Sequence, residues 1–141
     1  MILRHITLVD NLQSIINDGC LDARYSRRRS VDKGYIALEA YNGNDIMLDI
    51  AVLAKNAIGG NFTRDSFFSL YFDSIQMETN GIVLVVDGMP TKSENKIWQL
   101  SSTDYSSIGE YRFIYGQLSL NYLTCESKTA LDHMQRHLTI I

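Results

Sequence analysis

Apolar and polar residues alternate along LRHITL near the start of the chain, a period of two that predicts a first strand over residues 2–8. The period then lengthens to that of a helix. Leu12, Ile15 and Ile16 share one face, Asp10 stands where it can cap the first turn, and Gly19 stands where a left-handed residue ends one. GYIALEA, residues 34–40, predicts a second strand, and Asn42, Gly43 and Asn44 a turn. Ile46, Leu48, Ile50, Ala51, Leu53, Ala54 and Ala57 then suit a largely buried helix, the spine of the core, closing at Gly59 and Gly60. FFSLYFD (67–73) and the unbroken apolar run GIVLVVD (81–87) read as further strands, the second covered on both faces and ended by Met89 and Pro90. EYRFIYG (110–116) and LSLNYLT (118–124) read as two strands joined by a tight turn at Gly116 and Gln117. A last helix begins at a capping Ser127 and turns Ala130, Leu131, Met134 and Leu138 to one side. No repeat or linker divides residues 1–141, so the pattern predicts one α+β domain.

Two stretches carry no apolar period. Residues 21–33 hold Arg24, Arg27, Arg28 and Arg29 with Ser26, Ser30 and Asp32, and residues 91–107 are polar around a lone Trp98, a length of loop that in small domains often serves binding. The net charge is -3, which argues against a generic nucleic-acid coat, yet four of the thirteen basic residues crowd into positions 24–29. Such a cluster suits an anion. A guanidinium meets a pyrophosphate with two parallel donors, and Tyr25 beside it can stack on a base; the plainer reading is a solvated loop.

At 45% hydrophobic and 21% charged, the composition is that of a globular chain able to bury a core. No apolar run approaches the roughly 18–20 residues that cross a bilayer, and MILRHITLVD lacks the stretch of a signal peptide, so a cytoplasmic protein without a membrane partner is expected. Cys20 and Cys125 have neither CxxC spacing nor nearby ligands and are expected as small buried apolar residues. His133 and His137, four apart on the last helix, lack a third ligand, and no metal is expected.

Three residues remain as candidates for chemistry. Glu110 opens a strand directly after SSIG, where a carboxylate can stabilise positive charge growing on a sugar ring, or else merely face water. His5 lies among Leu3, Ile6 and Leu8, as a ligand-binding or a hydrogen-bonded structural imidazole. Thr7 points to the same side, because strand side chains alternate.

Taken in order, LRHITLVDNLQSIINDGCL (3–21), ARYSRRRSV (23–31), FFSLYFDS (67–74) and GEYRFIYGQLSL (109–120) resemble the ADP-ribosyltransferase superfamily, and within it the DarT-like branch. The resemblance implies a split, mainly antiparallel sheet with flanking helices, clasping NAD as co-substrate. It implies that His5 and Thr7 hold NAD with Asn11 as a helper, that Arg24 and Arg27 bind it too, and that Arg28 or a neighbour is the basic catalytic residue. Glu110 becomes the catalytic carboxylate. The acceptor implied is a DNA base, with RNA or a protein side chain as alternatives, and the usual setting is a toxin or a phage–host conflict factor. Two other readings share the fold: an inactive relative that binds a protein or nucleotide, and a 2'-phosphotransferase acting on RNA.

Overall fold

Strand β1 (Ile2–Leu8) forms because its β-branched and apolar residues can serve two faces of a pleated sheet at once. In the computed structural model, which describes residues 1–23, 34–84 and 111–140, it lies second in a four-stranded sheet. The other strands are β3 (Tyr35–Ala40), β4 (Phe67–Asp73) and β5 (Tyr111–Tyr115), in the order β4-β1-β3-β5. All three pairings within it are antiparallel. A separate antiparallel pair joins β2 (Cys20–Asp22) to β6 (Gln117–Ser119).

The core lies on one face of the larger sheet. Leu3, Leu38, Leu70 and Phe72 project from it with no exposed surface, and meet Leu12 of α1 (Leu12–Asp18), Met77 of α3 (Ser74–Thr79) and Leu131 of α4 (Cys125–Ile140). Each such side chain contributes roughly 1.5–3 kcal/mol relative to leaving it in water. Leu21 and Leu118 bring the small sheet into the same cluster. The predicted helix over 46–57 is present as α2 (Ile46–Ala57), but it is not the spine of the core. Only Met47 and Ala54 are buried, while Ile46 and Leu53 are 49% and 58% exposed. Apolar residues sit all round this helix, so its periodicity could not say which side the fold would cover.

Several local expectations need correction. Asp10 does not cap α1: a 3-10 turn, Val9–Asn11, leads into it, and Asn11 occupies the cap position without a side-chain bond. Gly19 does end it, at φ 70. The apolar run after residue 80 is not a strand where it is described. Asp73 accepts from the N–H groups of Ile75 and Gln76, which starts α3; Gly81 turns the chain at φ 83, and Val83 is 74% exposed. Residues 85–87 lie outside the described residues. The last helix begins at Cys125, capped by the Thr124 hydroxyl, which accepts from Ser127 N–H. Ser127 instead reaches across to accept from Tyr71 N–H of β4, tying helix to sheet. Leu131, Met134 and Leu138 face the core as expected, but Ala130 is exposed, and so is Cys125.

The turn at Gly116 is not a hairpin. β5 pairs with β3 and β6 pairs with β2, so the chain changes sheets there. Gly116, at φ 85, donates to Gly34 O at 2.8 Å and accepts from Ala23 N–H at 2.9 Å, so its backbone is committed to two other segments. Beyond Ser119 the expected strand gives way to a 3-10 turn, Leu120–Tyr122, and a single bridge from Leu123 to Phe72.

Candidate active site

The large sheet is forked. β1 pairs with β4 along its whole length, from Ile2 opposite Asp73 to Leu8 opposite Phe67. Its pairing with β3 stops after Leu3 opposite Ala40 and Arg4 opposite Glu39. β3 meanwhile pairs with β5 from Glu39 opposite Tyr111 to Tyr35 opposite Tyr115. Beyond Arg4 and Glu39, therefore, two strand pairs run side by side without an intervening ladder. The residues from His5 to Leu8 form one prong, those from Leu38 to Tyr35 the other.

His5 and Thr7 lie together on the first prong, as strand alternation requires, on the core-side face with Leu3. His5 is half-buried opposite Leu70, and Thr7 is buried opposite Phe68. Asn11 follows in the exposed 3-10 turn where that prong ends. Arg24, Arg27, Arg28, Arg29 and Glu110 lie outside the described residues, as do Tyr25 and the polar stretch 91–107. Their points of attachment are described. Ala23 and Gly34, which flank residues 24–33, both bond to Gly116, and β5 opens at Tyr111, the residue after Glu110.

At the vertex stands a feature the sequence reading missed. Arg4, 2% exposed on the face opposite His5, sends Nε to Glu39 Oε1 at 2.9 Å, and Nη1 to Asp45 Oδ1 at 3.0 Å. Its guanidinium lies 4.4 Å from the centre of the Tyr41 ring, which in turn meets Tyr71 edge-on at 5.2 Å. Burial alone would lower the Arg4 pKa, but the hydrogen bonds it donates to Asp45 and Glu39 outweigh that and hold the guanidinium charged. Burial pushes the Glu39 carboxyl above its ordinary value, and Arg4 offsets that only in part. The signal was available: an arginine inside ILRHITL and a glutamate inside YIALEA are charges at strand positions, where burial demands a partner.

Asp45 extends the network to the surface. Arg64 approaches its Oδ2 at 3.7 Å and grips Asp49 with two donors at 2.7 and 2.8 Å. The Arg64 guanidinium keeps the exposed Asp49 carboxyl below its usual value. These pairs fasten α2 beside the vertex. Arg112 of β5 lies in register with Leu38, half-buried, with Nη1 bonded to Tyr111 O at 3.0 Å.

Among the described residues no group of three or more His, Cys, Asp or Glu could hold a metal ion, and no helix is long and apolar enough to cross a membrane. His133 and His137 are exposed on α4. Solved structures share the fold of the chain. Thermus sp. 2.9 DarT in complex with NAD+ superposes with a TM-score of 0.60 at 14% identity, over 96% of this chain and 88% of that one. This is the DarT fold. The same Thermus protein with carba-NAD+ gives 0.60 at 13% identity, covering 96% and 89%, and with ADP-ribosylated ssDNA 0.61 at 13%, covering 96% and 88%. No protein-family profile and no curated protein sequence matches the chain. The expected α+β class with a mainly antiparallel sheet and flanking helices is thus the class observed.

Proposed function

We propose that this protein transfers ADP-ribose from NAD to a nucleic-acid acceptor, with a DNA base as the group modified. One observation carries the reading: His5 and Thr7 share a face on one prong of a forked sheet, in a fold whose solved relative is seen with NAD+ and with ADP-ribosylated ssDNA. The donor set fits a dinucleotide. An imidazole and a hydroxyl two residues apart on one strand can hydrogen-bond sugar or amide groups, and the Arg24–Arg29 stretch supplies guanidiniums for the pyrophosphate.

In the reaction proposed, the bond between nicotinamide and ribose C1' breaks, and nicotinamide leaves with the bonding electrons. Glu110 stabilises the positive charge that grows on the ribose ring and orients its hydroxyls. Arg28, with Arg24 and Arg27, holds the pyrophosphate as that charge develops, while His5, Thr7 and Asn11 hold the nucleoside end. A ring or exocyclic nitrogen of the acceptor base then bonds to C1', and its proton passes to Glu110 or to water.

The test is incubation with NAD labelled in its adenylate, offered single-stranded DNA, duplex DNA, 2'-phosphorylated RNA and a protein mixture in separate reactions. Label on single-stranded DNA is the expected outcome. Label confined to protein would replace the acceptor, and loss of the RNA 2'-phosphate would make the protein a phosphotransferase. Absence of both transfer and NAD hydrolysis would favour the inactive binder. His5→Ala is expected to weaken NAD binding about tenfold in a calorimetric titration, the size of one or two lost hydrogen bonds. An unchanged affinity would remove His5 from the site.

A further inference from the structure

The forked sheet consists of two halves joined by a short seam. β1 and β4 stay in register from Ile2 to Leu8, and β3 and β5 from Tyr35 to Glu39, while the halves meet through Leu3 opposite Ala40 and Arg4 opposite Glu39. So short a seam leaves the angle between the prongs to be set by more than the ladder. That angle decides where His5 and Thr7 stand against the second prong, because β1 carries both immediately past the seam.

Arg4 crosses the seam. It belongs to the first half and is 2% exposed, yet its anionic partners lie on β3 and on the segment that follows β3. Nη2 approaches Glu39 Oε1 at 2.8 Å, beside the Nε bond to the same oxygen, and lies 3.4 Å from the Asn44 carbonyl, while Nη1 donates to Asp45 at 3.0 Å. Burying an ion pair is a poor way to gain stability, since apolar side chains of similar volume do as well or better. What such a pair adds is direction: hydrogen bonds fix distance and angle, and apolar contact fixes neither.

We infer that Arg4 and Glu39 are positioning residues: their bond across the seam fixes how the prongs diverge, and with it the placement of His5 and Thr7. The bearing of this on NAD rests on the proposed function; the placement itself does not.

The test compares the full chain with its Arg4→Met, Arg4→Met/Glu39→Met and Arg4→Lys variants. Urea unfolding, calorimetry with NAD and the imidazole NMR resonances of the three histidines are the readouts. The double variant removes both charges together, so it repacks the vertex with apolar groups and changes the field at His5 little. It should regain most of the urea midpoint lost by Arg4→Met. NAD should still bind about tenfold more weakly than to wild type, the loss of about one hydrogen bond to a displaced side chain. The His5 resonance should move, while those of His133 and His137, exposed on α4, stay in place. Arg4→Lys keeps the charge but loses the planar fork of donors, and should show the same displacement at smaller size even if the double variant does not fold. A folded variant whose His5 resonance does not move would overturn the inference. So would NAD affinity equal to wild type in the double variant, or movement of all three histidines, which marks a general change in the protein. Absence of NAD binding by wild type, with the His5 resonance alone displaced in the variants, would remove the transferase reading and leave the placement standing.

Discussion

Replacing Glu110 with glutamine is expected to slow release of nicotinamide from NAD by about a hundred- to a thousand-fold while leaving NAD affinity within about threefold of wild type. Glutamine keeps the size of the side chain and a carbonyl oxygen able to accept from a ribose hydroxyl. It removes the negative charge, which matters only once the ribose carries positive charge on the way to bond cleavage. An interaction of that kind lowers kcat and kcat/KM together and spares binding. β5 opens at Tyr111, the next residue, and Tyr111 pairs opposite Glu39 at the vertex of the fork. Chromatography of released nicotinamide and calorimetry with NAD check the two halves. Turnover within tenfold of wild type would take the catalytic role away from Glu110.

The second large effect is expected at Arg4. Arg4→Met should lower unfolding stability by about 3 kcal/mol, because Glu39 would then be buried without its cation. Glu39→Gln should cost much less, about 1 kcal/mol, since Arg4 keeps Asp45 and a 3.4 Å contact to the Asn44 carbonyl, and an amide oxygen still accepts its hydrogen bond. The asymmetry has a pH dependence of defined sign. Burial already raises the Glu39 pKa, and loss of Arg4 removes the counterweight. A group whose pKa rises on folding contributes its stability when protonated, below its unfolded value, and loses it as pH climbs through the folded value. The deficit of Arg4→Met relative to wild type should therefore be smallest in mild acid and grow toward neutral pH. Urea titrations of the three proteins at two pH values measure it, and equal losses in both variants would show that the pair does not anchor the vertex.

The strands that build the fork were legible in the chain because each satisfies a local rule. ILRHITL, YIALEA and FFSLYFD alternate or concentrate β-formers, and Gly19 marks a helix end by adopting a backbone region other residues avoid. Misreadings arose where the outcome depends on distant partners. GIVLVVD is apolar enough for a central strand, yet Asp73 nucleates α3 just before it and Gly81 redirects the chain. The strands around Gly116 look like a hairpin by spacing alone, but each prefers a partner far along the sequence. α2 was recognised as a helix and misplaced in the core, since apolar content says nothing about which surface receives a neighbour. At the site, His5 and Thr7 follow from alternation, whereas Arg4 and Glu39 each show locally only as a charge inside a strand, and their pairing across 35 positions does not.

Holding residues 24–33 through one glycine also separates what that stretch carries from what the fold requires. Closing a loop costs little more as it lengthens, roughly 0.6 kcal/mol for each doubling, so a longer or recomposed cassette could be grafted between Ala23 and Gly34 without disturbing either sheet. Gly116 has no such latitude: a Cβ there would meet nothing within 4 Å, yet its φ of 85 strains any other residue. Length changes around the arginines proposed to hold NAD should then be tolerated, and replacement of Gly116 should not.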